Sequence, residues 1–103
     1  MSKKKISSLG DNWDDFKQTI LTPEERNEID VRVALISELI SAREELGMSQ
    51  KQLEAESGVK QPVISRIERG SSDPQLSTML KVLRPLGKTI AIVPLEEDNP
   101  LPA

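Results

Sequence analysis

The segment from Ser49 to Gly70 constrains what this 103-residue chain can fold into more than any other. Ser49 and Gln52 have the spacing of a capping box, in which each side chain accepts the other's backbone N–H. A helix is therefore predicted to start there and to stop at Gly58, where the turn demands a left-handed or crowded backbone. Gln61-Pro62 opens a second helix, because a proline in the first turn loses no hydrogen bond, and Gly70 closes it. Leu53, Val59, Ile64 and Ile67 are expected to fill the angle between the two helices. Gln61, Pro62, Ser65, Arg66 and Arg69 then lie on the opposite face of the second. A polar, cationic helix of this kind suits the major groove of DNA. Gln61, Ser65 and Arg66 are the candidate base readers, since glutamine pairs bidentately with adenine and arginine with guanine. Gln50 and Lys60 stand at helix starts, where free N–H groups and the helix dipole favour a phosphate; Lys51 and Arg69 complete the candidate phosphate set. The plain alternative is a helical hairpin that only packs.

The flanks pose a different question. Thr22-Pro23-Glu24-Glu25 is a strong helix start, and the pattern runs to Leu46 before Gly47 stops it. Ile29, Val33, Ile36 and Ile40 make one apolar stripe, widened by Leu35, Leu39 and Leu46. Such a helix would be roughly 37 Å long, more than a small bundle covers, so its first half is expected to project or to dock on something. Upstream, Asn12 to Leu21 is weakly amphipathic, and Trp13, Phe16 and Ile20 place both aromatic residues of the chain on one small stripe. That stripe either folds back on the core or folds on a partner. Residues 1 to 10, with Lys3-Lys4-Lys5, read as a solvated tail.

Downstream, Ser71-Ser72-Asp73-Pro74 is turn chemistry. Leu76, Met79, Leu80 and Leu83 mark a last amphipathic helix that Pro85 and Gly87 end. Lys88 to Leu95 is β-branched and strand-like, the one such segment in the chain. A lone strand leaves unpaired backbone groups, and a symmetric copy is the simplest way to satisfy them, which makes Thr89, Ile90, Ala91, Ile92 and Val93 the expected dimer contact. The expected organisation is an arm over 1–28, a DNA-binding domain over 29–87, a dimerisation strand over 88–95 and an acidic tail over 96–103.

Composition narrows the chemistry. The chain has no Cys and no His, which removes disulfides, thiolate and imidazole metal ligands, and both common nucleophile–base pairs. No catalytic residue, metal or cofactor is expected. No apolar run approaches the ~18 residues of a membrane span, and the expected setting is cytoplasmic. The net charge of −3 is unevenly spread: Asp11, Asp14 and Asp15 near the start and Glu96-Glu97-Asp98 near the end lie outside the candidate DNA face.

The skeleton Gln50…Leu53…Gly58-Val59…Ile64…Ile67-Glu68-Arg69-Gly70 resembles, without a gap, the lambda-repressor-like (Cro/C1, XRE) helix-turn-helix. The resemblance implies phosphate contacts at Gln50, Lys60 and Arg69 and base contacts at Gln61 and Arg66. It also implies a structural ion pair between Arg43 and Glu68, with Gly58 and Gly70 structural. Two residues depart from the pattern: Pro62 replaces a hydrogen-bonding side chain, and Glu54 replaces a small one. With the lead helix 31–40 and the closing segment 86–95, the chain is further similar to HigA-type antitoxins. That similarity implies a HigB-like, RelE-fold ribonuclease toxin as partner, for which Trp13, Phe16, Ile20 and Ile29 are the candidate contacts from their own pattern, and autorepression by a homodimer on an inverted-repeat operator. The expected fold is mainly α, a helix-turn-helix bundle of five helices with an N-terminal helical extension and one C-terminal β-strand used for intermolecular pairing. A free-standing repressor and an interaction module without DNA binding are the alternatives.

Overall fold

The computed structural model describes residues 20–95. Four helices lie wholly within the described residues: α1 (Pro23–Glu45), α2 (Gln50–Ser57), α3 (Gln61–Glu68) and α4 (Leu76–Leu83), which tightens into a 3₁₀ turn over Arg84–Leu86. Local chemistry sets most of these boundaries. Both capping boxes form: Thr22 Oγ1 accepts from the Glu25 N–H at 3.1 Å while the Thr22 N–H donates to Glu25 Oε1 at 2.9 Å. Ser49 and Gln52 make the same exchange at 3.0 and 2.7 Å. At the far end of α1, the Gly47 and Met48 N–H groups donate to the Glu44 and Arg43 carbonyls, satisfying the last turn.

The core is small and wholly apolar. Leu39 and Ala42 of α1, Leu53 of α2, Val59, Ile64 and Ile67 around α3, and Met79, Val82, Leu83 and Leu86 form one buried cluster. Leu53, Val59, Ile64 and Ile67 are thus buried together as their spacing predicts. The helix stripes are less faithful. Val33 is 57% exposed and Leu46 also 57%, so of the expected stripe α1 buries Leu39, beside Ala42, and half-buries Ile29, Leu35, Ile36 and Ile40. In α4, Leu76 and Leu80 face solvent while Val82 is sealed in the core. No residue of α1 before Leu39 is buried, although Leu35 packs against the core and Arg32 donates to the Ser72 carbonyl at 3.2 Å.

The C-terminal expectation is wrong. Among the described residues there is no strand: 88–95 runs as irregular chain, every residue of it exposed. A strand exists only through ladder hydrogen bonds, and among the described residues no second extended segment lies beside Thr89, Ile90, Ala91, Ile92 and Val93 to make them. β-Branched composition favours an extended backbone but supplies no partner. The architecture is an all-helical bundle, without the anticipated C-terminal β-strand. The predicted first helix, with Trp13 and Phe16, and the tail 96–103 lie outside the described residues. No helix among the described residues is long and apolar enough to cross a membrane.

Candidate nucleic-acid interface

Helix α3 presents the candidate face, and a glycine at each end aims it. Gly58 adopts φ +81°, turning the chain from α2 into α3, and an added Cβ there would meet no neighbour; the demand is conformational, not steric. Gly70 at φ +73° ends α3, with its N–H and that of Ser71 capping the Ile67 and Arg66 carbonyls. Ile64 and Ile67 anchor the inner side, fully withdrawn from solvent. Lys60, Pro62, Arg66 and Arg69 are exposed on the outer side, with Gln61 and Ser65 half-buried beside them. Lys51 is exposed on α2, 3.5 Å from Glu54, an ion pair too open to hold it.

A hydrogen-bond chain connects this face to the scaffold. Arg43 on α1 donates twice to the Glu68 carboxylate, Nε to Oε2 at 2.7 Å and Nη2 to Oε1 at 2.8 Å, and its Nη1 donates to the Met48 carbonyl at 2.9 Å. The fork-to-fork geometry ties α1 to the last turn of α3 and to the loop before α2. This hydrogen bond to Glu68 is the main reason the Arg43 guanidinium holds its proton more tightly than usual. Glu68 Oε1 also accepts from Gln50 Nε2 at 2.9 Å, and Gln50 Oε1 accepts from Gln61 Nε2 at 3.2 Å. The two glutamines expected at phosphate and base are therefore in contact, and their orientation is inherited from Arg43 through Glu68. On the next turn, Arg69 donates to Ser65 Oγ.

The structure brings Gln50, Gln61, Ser65, Arg66 and Arg69 together, with Lys60 at the entrance to α3. The Arg43–Glu68 pair forms as the family resemblance implies. Residue spacing does not announce the Gln50–Gln61 and Gln50–Glu68 links, because they join side chains 11 and 18 positions apart across a turn. On the other expected interface, Ile20 is 58% exposed and Ile29 half-buried, while Trp13 and Phe16 lie outside the described residues.

Comparison with known proteins agrees with this geometry. Residues 39–93 match the helix-turn-helix family model. An uncharacterized HTH-type transcriptional regulator of Haemophilus influenzae is 61% identical over 92% of this chain and 97% of its own length. Antitoxin HigA1 of Mycobacterium tuberculosis is 33% identical over 76% of this chain, which spans 48% of that protein. Among solved structures, a chain of a toxin–antitoxin module from Streptococcus pneumoniae superposes with a TM-score of 0.70. It is 58% identical, covering 82% of this chain and 92% of that one.

Proposed function

The chain belongs to the helix-turn-helix family of transcriptional regulators, and from that premise we propose that it is the antitoxin of a type II toxin–antitoxin pair. It represses its own operon by sequence-specific DNA binding and neutralises a HigB-like, RelE-fold ribonuclease. In this reading α3 enters the major groove, Gln61, Ser65 and Arg66 meet base edges, and Gln50, Lys51, Lys60 and Arg69 meet phosphates. Two copies on an inverted repeat present two recognition helices about 34 Å apart.

One observation carries the toxin half of the proposal: the first half of α1 is an ordered helix with no core of its own to cover. Val31 and Val33 are 54% and 57% exposed there. The arm with Trp13, Phe16 and Ile20 precedes that half of α1 in sequence, and in this reading it and Ile29 supply the clamp that blocks the toxin sterically. The relative from Streptococcus pneumoniae, from a toxin–antitoxin module, supports the same assignment.

The test is a pull-down of the tagged chain from its host, with mass spectrometry of what co-purifies. A stoichiometric, basic protein of small size that is lost on deleting residues 1–28 is the expected result. Self-association with bound DNA, and no protein partner, would instead make this a free-standing repressor.

A further inference from the structure

Behind the candidate DNA face, Val31 borders two apolar grooves at once. One, of about 310 Å³, lies between α1 and the turn after α3, walled by Leu35, Ile36, Ile67, Pro74 and Met79. The other, of about 320 Å³, lies between α1 and residues 88–91, walled by Ala34, Leu35, Leu83 and Ile90. Val31 and Leu35 are four residues apart and form the ridge that separates the two. A ridge with a groove on each side is the surface one helix offers to another.

Charge narrows the occupant. Glu28 and Asp73 border the first groove and Glu38 the second, with Glu24, Glu25 and Asp30 on the same stretch of α1. Against these six carboxylates the same surface carries three cations, Arg26, Arg32 and Lys88. Arg32 is held by Glu28 at 2.9 Å, by Asp73 at 3.5 Å and by the Ser72 carbonyl at 3.2 Å, and Lys88 lies 3.9 Å from Glu38. The exposed outer side of α3, by contrast, carries Arg66 and Arg69, with Lys60 at its start. The groove face therefore disfavours a polyanion and favours a cation-rich surface.

We infer that the two grooves beside the Val31–Leu35 ridge form one docking surface for an amphipathic helix, rich in lysine or arginine, of a protein partner. The inference rests on the antitoxin reading and deepens it by giving the partner a seat on α1 itself, beyond the arm. Apolar side chains of the incoming helix enter both grooves, and its cations meet Glu24, Glu28 and Glu38. Ile67 enters the groove wall from the inner side of α3, so the seated helix lies behind the recognition helix. Partner and DNA are then held at the same time.

The probe is the purified product of the gene adjoining this one, titrated calorimetrically against the full-length chain at low and high salt, with operator affinity measured in parallel. Val31→Asp, at an exposed position, weakens the partner at least about tenfold, as expected for a central contact of an interface. Val33→Asp, equally exposed on the same helix but bordering neither groove, leaves affinity within about twofold, the range of ordinary surface changes. Glu38→Lys weakens binding severalfold at low salt and much less at high salt. Operator affinity and thermal melting stay unchanged in all three, and a ternary complex with operator forms.

If Val31→Asp binds like the unmodified chain while removal of residues 1–19 abolishes binding, the partner sits on the arm alone. The docking inference then falls and the antitoxin reading stands. If the unmodified chain does not bind the adjoining product, the antitoxin reading falls and takes the inference with it. If Val31→Asp converts a dimer to a monomer by light scattering with partner affinity intact, the grooves are a self-interface and the inference is overturned.

Discussion

The two halves of α1 share one unbroken backbone and differ in almost everything else. From Leu39 onward the helix contributes Leu39 and Ala42 to the core and Arg43 to the ion pair that steadies α3. From Pro23 to Glu38 no residue is buried. An exposed helix of that length would be marginal alone, because nucleation is unfavourable and most helical stability in proteins comes from packing. Here the packed half is the nucleus, and the exposed half extends it with a capping box and the Glu28–Arg32 pair one turn apart. A chain can thus hold an apolar helical surface ready for a partner without a second core.

The largest expected effect separates the halves directly. Leu39→Ala removes a fully buried side chain and is expected to cost about 3 kcal/mol in denaturant unfolding, a large share of a small domain's stability. Val33→Ala, on the same helix, should change stability by less than about 0.5 kcal/mol. Equal effects would mean that the first half is packed in solution.

Arg43→Ala comes next, at about 2–3 kcal/mol, because it leaves the Glu68 carboxylate, only 7% exposed, without its cation. It should also weaken operator binding of the protein that remains folded, since the orientation of Gln50 and Gln61 depends on Glu68. The double change Arg43→Met with Glu68→Leu should recover most of the stability and little of the DNA affinity. Full recovery of both would show that the chain of hydrogen bonds orients nothing.

The contrast between the halves also explains which features were legible in the sequence. Helix ends are local chemistry, so Thr22 with Glu25, Ser49 with Gln52, and the glycines at 58 and 70 announce them. The interior of the hairpin was legible because α2 and α3 are short and each has one apolar side. In α1 apolar residues fall on several faces, and of the wide stripe that periodicity marks, packing buries Leu39, half-buries Ile29, Leu35, Ile36 and Ile40, and leaves Val33 and Leu46 exposed. Which face is buried depends on α3 and on the turn at 84–86, and neither is written in the pattern of α1 itself. The same holds for Leu76 and Leu80 against Val82 in α4. At 88–95 composition described a conformational preference, whereas a strand also needs a neighbour. In the candidate site the residue types were legible but the Gln50–Gln61–Glu68 connections were not, because they are made between side chains across a turn.

Exposure on the anchored part of the molecule should affect function without affecting stability. Arg66→Ala, on the exposed side of α3, is expected to cost about 1–3 kcal/mol of discrimination at one operator position and almost nothing in unfolding. A binding-site selection with the variant should show relaxed preference at that position alone. Uniform weakening at every position would move Arg66 to the phosphate set.

The smallest effects give the sharpest test, because the chemistry is identical and only its place differs. Thr22 and Ser49 each close a capping box with the same reciprocal bonds. Replacing either by alanine removes a cap of about 1 kcal/mol. Ser49 heads α2, which carries Leu53 in the core, so its loss should appear almost entirely in global unfolding. Thr22 heads the exposed half of α1, whose first turns can fray while the bundle stays folded. Thr22→Ala should therefore shift global stability by no more than about 0.3 kcal/mol while amide exchange over residues 23–30 accelerates severalfold. Equal shifts in global stability would mean that the two halves of α1 unfold as one unit. The partner-facing half would then be as firmly held as the half that braces the recognition helix through Arg43.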